Sequence, residues 1–398
     1  MTTAAVVLAA IGLAVLSTAC LASLGHRQSG PFVATPRTPS VLPTPEPAAA
    51  PADTAPPAET PRDPAPARPP STPSVASAPA PRHAPASASA ARPPESLDEL
   101  AIRIRVTDDG GTRVVTLPLD DYVRGCVRAE LSSHAIPEGA IGTVLQVQAV
   151  VSRTYAIANL GRHRAEGLDL CDGTHCQLFR SATAAYTESD AATRAVAATH
   201  GQVVIFDGRA IQAVFHSNCG GHTTSSDRVW SGPAVPYLRP VPDWFCARSG
   251  GAKWSFTANE QQLRRALNAD NLTIVGGRLD RVEIAERDEA GRATKVAVFG
   301  ARNSVVTAEQ FRAVMRQAFG ARSLQSTWFS VTHKANLFVF DGVGYGHGVG
   351  LCQAGAGLRA LAGQSPSAIL AHYYPGTSVA PLSAAAASVR LRRANGNE

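Results

Sequence analysis

Charge is missing from the start of this 398-residue chain: no charged side chain stands before His26 and Arg27 in "MTTAAVVLAAIGLAVLSTACLASLGHR". So apolar and small-residue a run reads as an export signal or a membrane anchor. A basic n-region is lacking too, and Ser17 stands where a lipoprotein signal has a branched apolar residue, so processing at Cys20 and plain anchoring both stay open. From Pro31 to Pro94 the missing feature is apolar periodicity: the stretch holds twenty of the 29 prolines among Ala, Ser and Thr. Such a composition buries no core and stays extended, a tether of at most about 200 Å in polyproline II. Basic patches interleaved with aromatics are absent as well. The net charge of +6 is scattered, and Arg390, Arg392 and Arg393 fall in a tail, which argues against nucleic acid as a partner.

The chain therefore divides into a signal peptide or membrane anchor over 1–25, a disordered linker over 26–96, a domain over 97–380 and a basic tail over 381–398. The domain suits one large unit or two closely joined subdomains. Strands are expected at "IRIRVT" and "RVVTLPL", followed by a helix "YVRGCVRAEL" with Asp120 or Asp121 as its N-cap. A longer helix follows Pro137 through "AIGTVLQVQAVVSRTYAIANL", and Asp207-Gly208 between two apolar runs marks a hairpin. Helices at "ANEQQLRRAL" and "TAEQFRAVMRQAF" flank two strands around "RDEAGR", and the glycine-rich "GVGYGHGVG" feeds a helix that Gly363 ends. Segregated strands and helices of this kind make an α+β fold.

The densest chemistry lies in "HRAEGLDLCDGTHCQLF", with His163, Cys171, His175 and Cys176 in fourteen residues. Outside the first segment the chain has six cysteines, an even number that in an exported protein points to disulfides, here Cys171–Cys176 with the histidines as polar neighbours. Two sulfurs and two imidazoles equally match the first shell of tetrahedral zinc, although His175 and Cys176 are adjacent and converge only across a sharp turn. A full set of four protein ligands leaves no open position, so such a zinc is structural. A catalytic thiol fits an oxidising compartment least.

In order along the chain, "LPLDDYVRGCVRAEL", "LQVQAVVSRTYAIANL", "LDLCDGTHCQLF", "AVFHSNCGGHTTSSDRVWSG", "YLRPVPD", "GVGYGHGVGLCQAGA" and "ILAHYYPGT" resemble the successive motifs of the stage II sporulation protein D family, the SpoIID/LytB domain. The resemblance implies an exported or membrane-anchored protein of the bacterial cell envelope. Its activity would be that of a lytic transglycosylase, cleaving the MurNAc–GlcNAc bond of peptidoglycan glycan strands and leaving 1,6-anhydro ends. Peptide-stripped strands are the substrate it implies. Glu130 falls on the family's catalytic glutamate, and His163, Cys171, His175 and Cys176 on its structural Zn2+ site. The resemblance suggests a substrate groove lined by Gln148, Arg153, Tyr155, His216, Ser217, His347 and Gln353, with Tyr373 as a further candidate. Cys219 and Cys352 depart from a frequent serine, Cys126 is an extra thiol, and Tyr345 replaces a commoner tryptophan. The simplest account of these departures is a Cys219–Cys246 pair, with Cys126 and Cys352 open to pair as well.

One glutamate suffices for such a reaction, because the substrate's own 6-hydroxyl attacks and the same residue first gives and then takes a proton. That requires a raised pKa. Ala129, Leu131 and Cys126 around Glu130 supply an apolar neighbourhood, whereas an isolated glutamate at a helix end is ordinarily a solvated surface residue. Arg153 is a surface helix residue or a donor to sugar hydroxyls. His216 and His347 are satisfied structural histidines or groove residues, and Tyr373 is core or platform. Two other functions compete: a non-catalytic wall-binding enhancer whose partner is a cell-wall amidase, and a zinc amidase using His216 or His347 as ligands.

Overall fold

A computed structural model describes residues 100–108, 110–131, 136–181 and 190–385. The signal or anchor, the linker and tail residues 386–398 lie outside the described residues. No helix among the described residues is long and apolar enough to cross a membrane. The fold is α+β and closes two separate hydrophobic cores.

The first core begins with β1 (Ala101–Asp108), paired antiparallel over its whole length with β2 (Gly111–Pro118). In β1 the alternation turns Ile102, Ile104 and Val106 inward and leaves Arg103 outward. Helix α1 (Leu119–Glu130) follows at once, capped by Pro118 with no side-chain hydrogen bond. Asp120 and Asp121 sit in its first turn instead of capping it. They favour the positive end of the helix dipole there, and Asp120 also accepts twice from Arg153, at 3.0 and 2.8 Å.

Helix α2 (Ile141–Ala158), preceded by a 3-10 turn at Glu138–Ala140 that Pro137 opens, is buried almost all round and forms the centre of this core. Around it lie β3 (Leu170–Cys171), parallel to β1, and α3 (Ala191–Ala198). Next come β4 (Gln202–Phe206) and β5 (Arg209–Ala210). They form the expected hairpin: Asp207 and Gly208 both take positive φ, 48° and 68°, as a type I′ turn requires. Strand β6 (Phe215–His216), α4 (Ser226–Val229) and α5 (Trp244–Arg248) complete this pass.

The chain then leaves to build the second core. Strand β7 (Lys253–Asn259) leads into α6 (Glu260–Asn268), and β8 (Leu279–Arg287), β9 (Ala293–Gly300) and β10 (Ser304–Thr307) form an antiparallel sheet. Helix α7 (Ala308–Phe319) precedes β11 (Phe329–Lys334) and β12 (Leu337–Val343), which joins β7. Both helices start on reciprocal capping boxes, Asn259 with Gln262 and Thr307 with Gln310. Phe311, Phe329 and Phe340 pack at the centre of this core, with ring centroids 6.0–6.3 Å apart.

The return to the first core runs through β13 (Leu351–Cys352), parallel to β6, then α8 (Gln353–Leu361), α9 (Pro366–Tyr373) and β14 (Ser378–Pro381), which pairs with β4. Gly363 ends α8 region with φ 82°, as the sequence implies.

Candidate active site and cysteine centres

Glu130 is the last residue of α1, where the apolar face of Tyr122, Val123, Cys126 and Val127 sinks into the core. Its Oε1 accepts from the backbone N–H of Leu178 at 2.6 Å. Burial lifts the carboxyl from 4.5 to about 7, and the Leu178 N–H offsets part of that rise by favouring the anion. Among the described residues no second carboxylate contributes to the shift. Tyr155, buried in α2 and within electrostatic reach of Glu130, has its phenol pushed up to about 12, chiefly by burial.

The loop that supplies the Leu178 N–H also carries the histidine and cysteine motif. Ligand atoms of His163, Cys171, His175 and Cys176 all lie within 4.8 Å of one another. His163 Nε2 is 3.3 Å from Cys176 Sγ, and His175 Nδ1 is 3.9 and 3.7 Å from the sulfurs of Cys171 and Cys176. A turn in which the Cys176 N–H donates to the Gly173 carbonyl at 2.9 Å lets the adjacent His175 and Cys176 converge. Behind the set, Glu166 Oε1 lies 2.7 Å from His163 Nδ1, leaving Nε2 to face the sulfurs, and Arg105 pairs with the same carboxylate. That is the carboxylate–histidine arrangement of metal ligands, and the donor set fits a tetrahedral zinc.

Of the expected groove residues, four lie side by side. Gln353 Nε2 donates to Gln148 Oε1 at 3.2 Å, the Ala354 N–H donates to the carbonyl of exposed Ser217 at 3.0 Å, and His216 precedes Ser217 at the end of β6. Gln148 donates onward to Ser152, whose carbonyl accepts from Gln177, the residue before Leu178. A continuous polar path thus joins this wall to the loop that holds Glu130.

Gln148 is itself buried, 1% exposed, and backs this wall without facing solvent; two further residues belong elsewhere. Arg153 is fully buried, and its guanidinium is taken up by Asp120 and by the carbonyls of Gln202 and Val196. It ties α2 to α1, α3 and β4 and leaves no surface for a sugar. Tyr373 is equally buried and donates to Asp243 Oδ2 at 2.6 Å, so it is neither exposed nor a stacking platform.

Among the described residues His216 and His347 belong to no cluster of three or more metal-ligating side chains, and three of their four ring nitrogens bond the backbone while His216 Nε2 is buried without a partner. His216 Nδ1 donates to the Val349 carbonyl at 3.1 Å, while His347 Nδ1 accepts from the Val349 N–H at 3.1 Å and its ring bonds the Phe215 carbonyl. Burial holds both neutral, His347 down to about 4. The glycine-rich loop closes on them: a Cβ on Gly346 would stand 2.8 Å from the His216 Cβ. Trp230, which composition did not single out, is 42% exposed with its ring 5.1 Å from His347. An exposed indole offers a broad apolar face with a polar N–H at its edge. A cavity of about 410 Å³ lined by Phe245, Arg248, Leu358 and Leu361 contains none of these residues.

The cysteines also differ from the expected pairing. Cys126 faces Tyr122 and Glu130 inside α1, whereas Cys352 lies with Cys219 and Cys246, the Cys219 N–H donating to Cys352 Sγ at 3.2 Å. Cys126 and Cys352 therefore do not pair, and all six described cysteines carry free thiols.

A family model described as stage II sporulation protein matches residues 107–206. This segment is similar to the SpoIID family. The SpoIID segment contains Glu130 and the whole His163–Cys176 set. A second model, described as a domain of unknown function, matches residues 247–350, which is the excursion that builds the second core. An amidase enhancer of Bacillus subtilis is 29% identical over 278 residues, 59% of this chain and 37% of that protein. Stage II sporulation protein D of Bacillus amyloliquefaciens is 26% identical over 298 residues, covering 71% of this chain and 80% of the relative. The protein of the same name from Bacillus subtilis is 26% identical over 307 residues, with 73% and 82% covered. The chain thus spans little more than a third of the enhancer and most of each sporulation protein.

Proposed function

We propose that this chain remodels the bacterial cell wall as a lytic transglycosylase acting on peptidoglycan glycan strands, with Glu130 as acid and base. What supports the reading is the placement of Glu130 at the buried end of α1, its Oε1 held by the Leu178 N–H at 2.6 Å, with burial raising the carboxyl to about 7. A hydrolase of ordinary type needs two carboxylates. Here the neutral Glu130 gives its proton to the glycosidic oxygen as the bond to the MurNAc anomeric carbon breaks. The 6-hydroxyl of that sugar then bonds the anomeric carbon, and the Glu130 carboxylate takes the hydroxyl proton, leaving a 1,6-anhydro end and restoring the acid. Ser217 and Gln353, backed by the buried Gln148 and with Trp230 near His347, would supply hydrogen bonds and stacking for the strand.

His163, Cys171, His175 and Cys176 would hold a structural Zn2+. Such an ion would fix the loop whose Leu178 N–H orients Glu130. Export to the cell envelope, with the N-terminal segment as signal or membrane anchor, is the location this chemistry requires.

The match to an amidase enhancer favours a second reading, in which the same wall binds glycan and stimulates a separate amidase without cleavage. Incubating the full chain and Glu130→Gln with intact and with amidase-treated peptidoglycan, followed by mass spectrometry, separates the two. Transglycosylase action gives anhydro products with the wild type and at least a hundredfold less with the variant. No anhydro product from either substrate sinks the enzymatic reading and leaves the enhancer.

A further inference from the structure

We propose that Cys219, Asp243, Cys246 and Cys352 form a second metal site, a closed set of three sulfurs and one carboxylate for zinc. It shares no residue with the His163 set and holds whichever reaction the first core performs.

Each of the four side chains offers one ligand atom within 4.8 Å of the other three. Tetrahedral zinc with sulfurs at about 2.3 Å spaces them about 3.8 Å apart, inside that limit. All four residues are 0% exposed. A Cys219–Cys246 disulfide would account for two sulfurs only, leaving a third thiol against a carboxylate sealed from water. Buried carboxylates are neutralised by a partner or by a metal.

The surroundings suit thiolates. The N–H groups of Cys219 and Gly355 point at Cys352 Sγ at 3.2 and 3.3 Å, and the Gly221 N–H points at Cys219 Sγ at 3.3 Å. Tyr373 donates to Asp243 Oδ2 at 2.6 Å and Arg359 lies 3.5 Å from Oδ1, the outer partners that fix a ligating carboxylate. Three thiolates and a carboxylate around a divalent cation leave two negative charges, and two buried arginines answer them. Arg359 is one. Arg292 is the other: it donates to the Cys219 carbonyl, while its Nε and Nη1 are buried with no hydrogen-bond partner. Space has been kept for the arrangement too, since a Cβ on Gly355 would stand 2.0 Å from Asp243 Oδ2 and 2.1 Å from the Tyr373 oxygen.

Placement gives the site its role. Asp243 and Cys246 stand at α5, just before the chain departs for the second core, and Cys352 stands in β13, just after it returns. Cys219 follows β6, the strand that β13 joins. One ion would clamp both ends of the excursion to the strand that bears His216. With four protein ligands it leaves no water position, so it is structural.

The test uses the full chain purified in reductant. Zinc is counted by native mass spectrometry and elemental analysis in the wild type, in Cys176→Ser and in Cys352→Ser. The expected result is two ions per wild-type chain and the loss of one ion in each variant. Because Cys352→Ser can fail to fold, zinc-edge absorption is also recorded on the wild type. Two sulfurs from the first set and three from the second make sulfur outnumber nitrogen and oxygen, whereas the His163 set alone gives equal numbers. Equal numbers, zinc unchanged by Cys352→Ser, or a Cys219–Cys246 disulfide mapped in protein purified without reductant each overturn the proposal.

Discussion

Glu130 carries opposed demands from stability and chemistry. With its carboxyl raised from 4.5 to about 7, the folded chain keeps a proton that the unfolded chain releases between those values, so this residue's contribution to stability falls as pH rises through that window. The full shift corresponds to about 3 kcal/mol, and partial exposure trims it to about 1–2 kcal/mol. Glu130→Gln keeps an acceptor for the Leu178 N–H and removes the penalty. Its melting temperature is expected to exceed that of the wild type at pH 8 and to match it near pH 4, by calorimetry at both values. A gap of equal size at both pH values would mean that the Glu130 pKa is the same in the folded and unfolded chain. The activity should also fall as pH passes above about 7, because the first step needs the acid protonated.

At the scale of elements, Glu130 depends on how closely the loop of residues 171–181 lies against α1, and one glycine sets that distance. A Cβ on Gly125 would stand 2.2 Å from a ring carbon of Phe179, whose ring stacks on Tyr122 at 5.7 Å. Gly125→Ala therefore displaces Phe179 and draws the neighbouring Leu178 N–H off the carboxylate. The expected cost is about 1–3 kcal/mol in denaturant titration, with the alkaline limb of activity shifted to higher pH, because the one contact favouring the Glu130 anion is lost. An unchanged limb would show that the loop does not set this pKa.

The same scale shows what the sequence makes legible. The Asp207-Gly208 hairpin, α6 and α7 with their capping boxes, and the Pro137 entry to α2 are decided by neighbours three or four residues away, so they can be read directly. The start of α1 is not: Asp120 would cap by local preference, but a tertiary pull from Arg153, 33 residues on, wins. Arg153 and Tyr373 look like surface candidates because burial is a property of the packed chain, and a family motif does not say which of its residues face the ligand. The surroundings of Cys352 are hidden for the same reason, since its neighbour Cys219 lies 133 residues away. Trp230 carries no spacing signal at all, and only its exposure beside His347 marks it.

For the whole molecule, the two cores divide the labour. Every cysteine of both candidate metal sets, Cys171, Cys176, Cys219, Cys246 and Cys352, packs into the first core, and none into the second. The second core rests on aromatic and aliphatic packing alone, with Phe311, Phe338 and Phe340 fully buried. Metal binding that is coupled to folding should stabilise only the part of the chain that holds the ligands. Hydrogen exchange of the full chain with and without a chelator is therefore expected to lose protection in α1, α2 and β13 while β8, β9 and β12 keep theirs. Equal loss throughout would mean that the cores unfold as one cooperative unit. Loss confined to the excursion would place the metal's effect in the second core, against the ligand geometry. The division also separates roles: the first core presents Glu130, and the apolar excursion reaches back to it through Arg292 at the Cys219 carbonyl, Asp288 at Thr224 and the Asn218–Tyr345 bridge.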